Sequence, residues 1–358
     1  MTDLTSLIDP IPAPSLESAH EARVRQGMLT KPAGALGRLE DLSIWVSAAQ
    51  GQCPPRAFTR PRVVIFAGDH GIARTAQTSA YPPEVTAQMV LNFVSGGAAV
   101  NVLARQAGAS VRIIDVSVDA DIAYAHSIDP DVVAHRIRRG SGSIDREDAM
   151  TTAETEAAFN LGRQIADEEI DAGADILIPG DMGIGNTTPA AAIIGLLANA
   201  DAATVTGKGT GIDDATWMRK CAAVRDAMRR GKSHTNDPLA LLTAIGSPDF
   251  AAATGFVLQA AVRGVPVILD GTISTACALV ADRVSPQAKA WWLAGHRSTE
   301  PAQSIALSRL DLEPIVDYGM RLGEGTGALL ALLIVQSATA TLREMATFGE
   351  AGVSDRDA

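Results

Sequence analysis

The sequence predicts an α/β fold: a parallel, Rossmann-like sheet with helices on both faces, plus a small helical subdomain built from both chain ends. Three observations carry this. Short β-branched or apolar runs alternate with Ala-rich helical stretches. Gly-rich polar loops follow several of those runs. The two ends of the chain, by contrast, are helical in composition and hold no clear strand. Strands separated by helices at this spacing indicate a parallel sheet covered on both sides.

Taken in order, residues up to about 55 read as helical. Arg62–Ala67 (RVVIFA) reads as a buried strand, followed by Gly68-Asp69-His70-Gly71 and a helix over Met89–Gln106. Val111–Val116 is a second strand. Thr151–Ala172 is helical and leads into the strand Asp175–Pro179, which ends in Gly180-Asp181-Met182-Gly183. Pro266–Leu269 is a fourth strand, running into Asp270-Gly271-Thr272. Ala288–Leu293 is a fifth candidate, before Gly295-His296-Arg297. Ala328–Thr347 closes the series as a helix. The expected division is a catalytic α/β domain over 60–325, a helical subdomain from 1–59 and 326–348, and a frayed tail over 349–358.

Composition narrows the function. With 358 residues, 47% of them hydrophobic and 20% charged, the chain can build a sizeable core and is not disordered. Its formal charge of −11 argues against nucleic-acid or anionic-membrane partners, which need clustered Lys and Arg. The one tight basic cluster, His135–Arg139, is too short to change that. Cys53, Cys221 and Cys277 form no CxxC or Cys/His pair and no closed disulfide framework. No signal-peptide pattern precedes Pro14, and the longest apolar runs, such as Ala328–Val335, fall short of the roughly 20 residues of a span. A cytoplasmic protein is expected.

The chemistry points to strand ends. Loops at Gly68–Gly71, Gly180–Thr188, Gly271–Thr275 and Gly295–Glu300 all follow strands, and in an open parallel sheet those ends carry the ligand crevice. Within Gly180–Pro189, Thr188 suits an N-cap and Pro189 the first helical position. The glycines let backbone N–H groups face one anion at a helix N-terminus, a phosphate cradle without the Lys of a Walker loop. A structural strand-to-helix turn reads the same locally. Gly207-Lys208-Gly209-Thr210-Gly211 offers further amides, with Lys208 or Lys220 as a cation. Gly323-Glu324-Gly325-Thr326-Gly327-Ala328 has G-x-G-x-x-A spacing but no preceding strand and too little chain after it for a dinucleotide unit. It leaves a carboxylate between two glycines, which reads equally as a ligand-facing acid or an exposed cap. Asp69-His70 and His296 lack metal-ligand spacing, so no metal is expected. No G-x-S-x-G elbow supports a Ser nucleophile.

Seven motifs in order then carry a resemblance: Lys31–Glu40 (KPAGALGRLE), Gly68–Gly71, Gly180–Thr188, Gly207–Gly211, Leu269–Gly271, Gly295–Pro301 (GHRSTEP) and Arg321–Gly327 (RLGEGTG). Over residues 28–345 the chain resembles the nicotinate-nucleotide–dimethylbenzimidazole phosphoribosyltransferase family. The resemblance implies transfer of the phosphoribosyl group of nicotinate mononucleotide to 5,6-dimethylbenzimidazole. The products would be α-ribazole 5′-phosphate and nicotinate, with inversion at C1′, for cobalamin biosynthesis. It also implies a homodimer and no cofactor. By motif, Glu324 matches the general base, and Asp181 stands where many members carry Glu, one methylene longer. Gly183, Gly185, Asn186 and Thr187 match the phosphate turn. Gly209, Gly211, Lys220, Asp270, Gly271, Ser298 and Gly323 match positions around the nucleotide. Tyr81, Gln88, Met182, Met320 and Leu322 would hold the benzimidazole, with Tyr81 or Phe93 as stacking candidates. The shorter Asp181 leaves another acceptor open: a different benzimidazole, a purine or a phenol. A non-catalytic nucleotide-binding protein on the same fold is the other alternative, and the intact Glu324 motif counts against it.

Overall fold

The computed structural model describes residues 8–121, 124 and 127–354. Its centre is a six-stranded parallel sheet: β1 (Pro61–Gly68), β2 (Ser110–Ser117), β3 (Ile176–Met182), β4 (Val267–Leu269), β5 (Trp292–His296) and β6 (Pro314–Val316). The spatial order is β2-β1-β3-β4-β5-β6, parallel throughout.

Alternation along each strand builds two cores. Val64 and Phe66 of β1 join Ile114, Leu177, Val267 and Leu269 on one face. Val63, Ile65 and Ala67 join Ile113, Ile176, Ile178 and Ile268 on the other. Successive side chains point to opposite faces, so a strand buried on both sides must be apolar throughout. The first face is covered by helices Pro248–Val262 and Thr272–Val284, on which Thr152–Asp171 and Thr187–Leu197 pack in turn. The second is covered by Val85–Val94, Ala99–Ala107 and the first half of Thr326–Glu344. The end of that last helix meets the N-terminal helices Leu16–Met28 and Arg38–Gln50. Ala22, Leu29 and Leu342 pack together there, and Arg25 Nε donates to the Leu342 carbonyl at 2.8 Å.

Two glycines permit a close helix crossing. Gly162 of Thr152–Asp171 faces the Ala252 carbonyl, and Gly255 of Pro248–Val262 faces the Phe159 carbonyl. A Cβ at either would run into backbone, which cannot swing aside. Gly162→Ala is therefore expected to cost about 3 kcal/mol, at the upper end for overpacking. A lower midpoint in urea at unchanged slope would show it. An unchanged midpoint would mean that the helices separate freely.

Several sequence expectations shift. The helix expected over Met89–Gln106 is two helices, broken where Ser95-Gly96-Gly97-Ala98 turns the chain with Gly96 at φ 77°. The strand expected over Ala288–Leu293 is displaced: Pro286–Trp291 is 3₁₀-helical, and β5 keeps only Trp292 and Leu293 of that stretch before running on to His296. β6 was not anticipated, because three half-buried residues carry too little periodicity. The cradle helix begins at Thr187 with Asn186 as N-cap, so Thr188 and Pro189 lie inside its first turn. Part of the expected tail, Phe348–Ala351, is a helical turn with a Thr347/Glu350 capping box. The remainder of that tail from 355, and residues 1–7 of the N-terminal segment, lie outside the described residues. By length and composition 85–107 and 326–344 could cross a membrane. The first is interrupted, however, and the second packs on the sheet.

Candidate active site

The carboxyl ends of the strands open on a cleft of about 430 Å³. It lies where the connections diverge on either side of β1 and β3, the position at which open α/β sheets bind ligands. Tyr81, Asp181, Gly185, Asn186 and Thr187 line it, as do Gly209, Gly271, Ser298, Leu322 and Gly323. Ten of the residues expected from sequence thus share one wall, although they come from six separate stretches of chain.

Three acids gather beside Gly323: Asp181 lines the cleft, whereas Glu324 and Asp270 lie just behind its lining. Glu324 lies between Gly323 and Gly325, and all three residues are left-handed, at φ 82°, 63° and 92°. Glycine accepts that conformation freely; Glu324 is the strained member. Asp270 anchors the run. Its Oδ2 accepts the Gly325 N–H at 3.1 Å and its Oδ1 the Ala328 N–H at 2.9 Å. Both amides belong to the start of the Thr326–Glu344 helix, where no intrahelical acceptor exists. Gly180 completes the support, because a Cβ there would lie 2.7 Å from the Glu324 carbonyl oxygen. The Glu324 side chain is buried and its Oε2 has no partner among the described residues. Burial, and then the Asp270 charge, push its pKa up to about 7. Asp181, at the end of β3, accepts from Asn186 Nδ2 at 2.5 Å. Burial raises its pKa well above the carboxylate range, and the charges of Asp270, Asp249 and Glu324 add to this. Asp181 is thereby held toward its protonated form.

The start of a helix forms another part of the wall. Thr187 opens the Thr187–Leu197 helix, and Lys220 stands behind it, fully buried. Lys220 Nζ donates to Thr187 Oγ1 at 2.7 Å and to the Gly207 carbonyl at 3.1 Å. Because Thr187 Oγ1 accepts from the ammonium, its own O–H is free to turn into the cleft. Lys220 is therefore a positioning residue here, not part of the wall, and burial lowers its pKa. Gly183 is also behind the wall: a Cβ would strike the Gly68 carbonyl and approach His70 Nε2 to 2.9 Å. Its glycine lets the β3 loop close on the β1 loop. Gly211, at φ 94°, lies outside the wall beside Arg321.

The aromatic-acceptor set is placed less uniformly. Tyr81 and Leu322 are each 55% exposed at the cleft mouth. Met182 packs into the second core, Met320 is half-buried outside the cleft wall, and Gln88 is exposed on the Val85–Val94 helix away from it. Phe93 is core and does not reach the cleft. His296, considered above only as a metal ligand, also lines it, as do Glu300 and Arg321, which lie in the quoted motifs but receive no role from the sequence. The signal for Glu300 was present: an acid directly before Pro301 at a helix start. Among the described residues, no group of three or more His, Cys, Asp or Glu side chains is disposed to hold a metal.

A strand-end cleft that joins a glycine turn at a helix start to a buried carboxylate of raised pKa is suited to a group-transfer enzyme. Comparison gives the class: the model of a family described as phosphoribosyltransferase matches residues 11–353. An enzyme of Mycolicibacterium paratuberculosis named nicotinate-nucleotide–dimethylbenzimidazole phosphoribosyltransferase is 60% identical over 345 residues, covering 96% of this chain and 97% of its own. The enzyme of that name from Mycobacterium tuberculosis is 58% identical over 347 residues, covering 97% and 94%. The crystal structure of the Thermus thermophilus enzyme superposes with a TM-score of 0.88 at 39% identity, covering 95% of this chain and 99% of that one. The chain belongs to the nicotinate-nucleotide–dimethylbenzimidazole phosphoribosyltransferase family.

Proposed function

We propose that this enzyme transfers the 5-phosphoribosyl group of nicotinate mononucleotide to 5,6-dimethylbenzimidazole, forming α-ribazole 5′-phosphate and nicotinate for cobalamin synthesis. The observation that carries the reading is Glu324, a buried, unpartnered carboxylate with a pKa of about 7 beside a nucleotide-sized cleft. The donor's 5′-phosphate sits at the Gly185–Thr187 turn, where the N-terminus of the Thr187–Leu197 helix and the Thr187 hydroxyl can receive it. One benzimidazole nitrogen attacks C1′ from the face opposite the pyridinium, and the C1′–N bond to nicotinate breaks with its electron pair. Nicotinate leaves as a neutral pyridine nitrogen, so no proton need be supplied to it. The acceptor's other nitrogen grows acidic as the new bond forms, and Glu324 takes its proton. Inversion follows from attack on the opposite face. Asp181 and Gly323 flank the acceptor, with Tyr81 and Leu322 at the mouth.

Incubation with both substrates should yield ribazole phosphate and nicotinate in equal amounts by mass spectrometry; no product would refute the assignment. Because Asp181 leans to its neutral form, Asp181→Asn should keep kcat/KM within about tenfold of the native value, since its amide carbonyl can still accept from Asn186. A loss of a thousandfold would instead make Asp181 a proton acceptor. We further propose a cytoplasmic homodimer. Its support is the apolar face of helices Val85–Val94 and Ala99–Ala107, where Val94 and Val102 are 44% and 52% exposed.

A further inference from the structure

We propose that Glu300 reads the ribose hydroxyls of the donor nucleotide and makes the enzyme select ribo- over deoxyribonucleotide donors; this rests on the donor assigned above. Glu300 follows β5, immediately before the Pro301–Leu310 helix, and its side chain is buried at the cleft wall. Its Oε1 accepts the Gly209 N–H at 2.8 Å. Its own N–H donates to Ser298 Oγ at 3.2 Å, which ties it to a second wall residue. The carboxylate lies over Gly207, where any Cβ would collide with it, so the glycine loop is shaped around this acid. Among the described residues, Oε2 receives no hydrogen bond.

Chemistry selects the occupant. The phosphate and carboxylate of nicotinate mononucleotide only accept hydrogen bonds, and its pyridinium nitrogen carries no hydrogen. Its 2′- and 3′-hydroxyls are the only donors it offers. On the acceptor base the one N–H belongs to the reacting face, beside Glu324. A cleft carboxylate with one oxygen committed to Gly209 and the other uncommitted has the hydroxyls as its matching partners. Its position beside the Thr187–Lys220 pair sets it next to the phosphate end, where the ribose must lie. Lys220 offsets the charge of Glu300 through the loop, so the acid does not leave the cradle repulsive to phosphate.

The test compares nicotinate mononucleotide with its 2′-deoxy and 3′-deoxy analogues as donors for the native enzyme and Glu300→Gln. The Gln carbonyl can keep the Gly209 contact, so loop structure is preserved while the charged acceptor is lost. A hydrogen bond to a charged group implies that the native enzyme prefers the ribonucleotide by about 10–100-fold over at least one analogue. Glu300→Gln should lower kcat/KM for the ribonucleotide by a similar factor, change the analogue's little, and so largely erase the preference. An equal loss on all donors would overturn the proposal in favour of a loop-holding role. So would tighter binding of nucleotide or inorganic phosphate by Glu300→Gln, which would show the carboxylate competing for the phosphate site. Calorimetric binding of the three nucleotides gives the same ratios without turnover. A protein that binds them selectively yet makes no ribazole phosphate would therefore fail the reaction proposal and not this one.

Discussion

Glu324→Gln is expected to lower kcat by about 10²–10⁴-fold while leaving nicotinate mononucleotide binding within a few fold, because the group lost is a proton acceptor rather than a cradle for the donor. For the native enzyme, kcat/KM should rise with pH through a limb near 7, where Glu324 loses its proton. Stability should move the other way. The folded pKa of Glu324 is raised from 4.5 to about 7. The folded state therefore holds the proton more tightly, and the native protein loses stability between those two values. Gln carries no such charge. Glu324→Gln should be the more stable protein above pH 7, by up to about 3 kcal/mol, with the difference vanishing below pH 4.5. Urea unfolding at pH 4.5 and pH 8 checks this against a turnover assay on the same samples. A variant that is less stable at pH 8 would mean that the ionised carboxylate has a partner, and the base assignment would lose its physical ground.

Asp270→Asn is the second large effect, because Asp270 has two tasks. It supplies acceptors to the Gly325 and Ala328 amides, and its charge raises the Glu324 pKa. An Asn side chain can satisfy one amide but must turn its NH₂ toward the other. One buried N–H then lacks an acceptor, at a cost of about 1–3 kcal/mol. The left-handed run at 323–325 loosens with it, so kcat should fall at least tenfold, since a base set out of line loses much of its advantage. With the Asp270 charge gone, the residual activity should show its acid limb at lower pH than the native enzyme. A limb that stays near 7 would leave burial as the sole cause of the raised value.

The sheet was legible because its strands are apolar on both faces. Arg62–Ala67 and Val111–Val116 could be nothing else in this setting, and the glycine loops after them marked the functional edge. Short or half-buried pieces were not legible. Pro314–Val316 has no period to detect, and the first part of Ala288–Leu293 is taken up by the 3₁₀ turn that Pro286 opens, so that β5 starts only at Trp292. The break at Gly96 shows the same limit, since a continuous apolar pattern conceals the interruption between two helices. In the cleft, glycines were read as ligand contacts from their spacing. Gly183 instead serves a close approach to the Gly68 carbonyl, and only the packed loops reveal which atom it must avoid.

The sequence by itself determined the class of fold, the end of the sheet that carries chemistry, and the family, because periodicity and ordered motifs are local in the chain. The tertiary structure decided the division of labour among the polar groups. Burial and the field of neighbouring charges depend on residues far apart in sequence. Asp270 adds to the burial that raises the pKa of Glu324, from 54 positions away. Lys220 turns out to orient Thr187 from behind the wall, and Glu300, one residue of an already conspicuous motif, emerges as an acceptor only once Gly209 is seen to hold half of it.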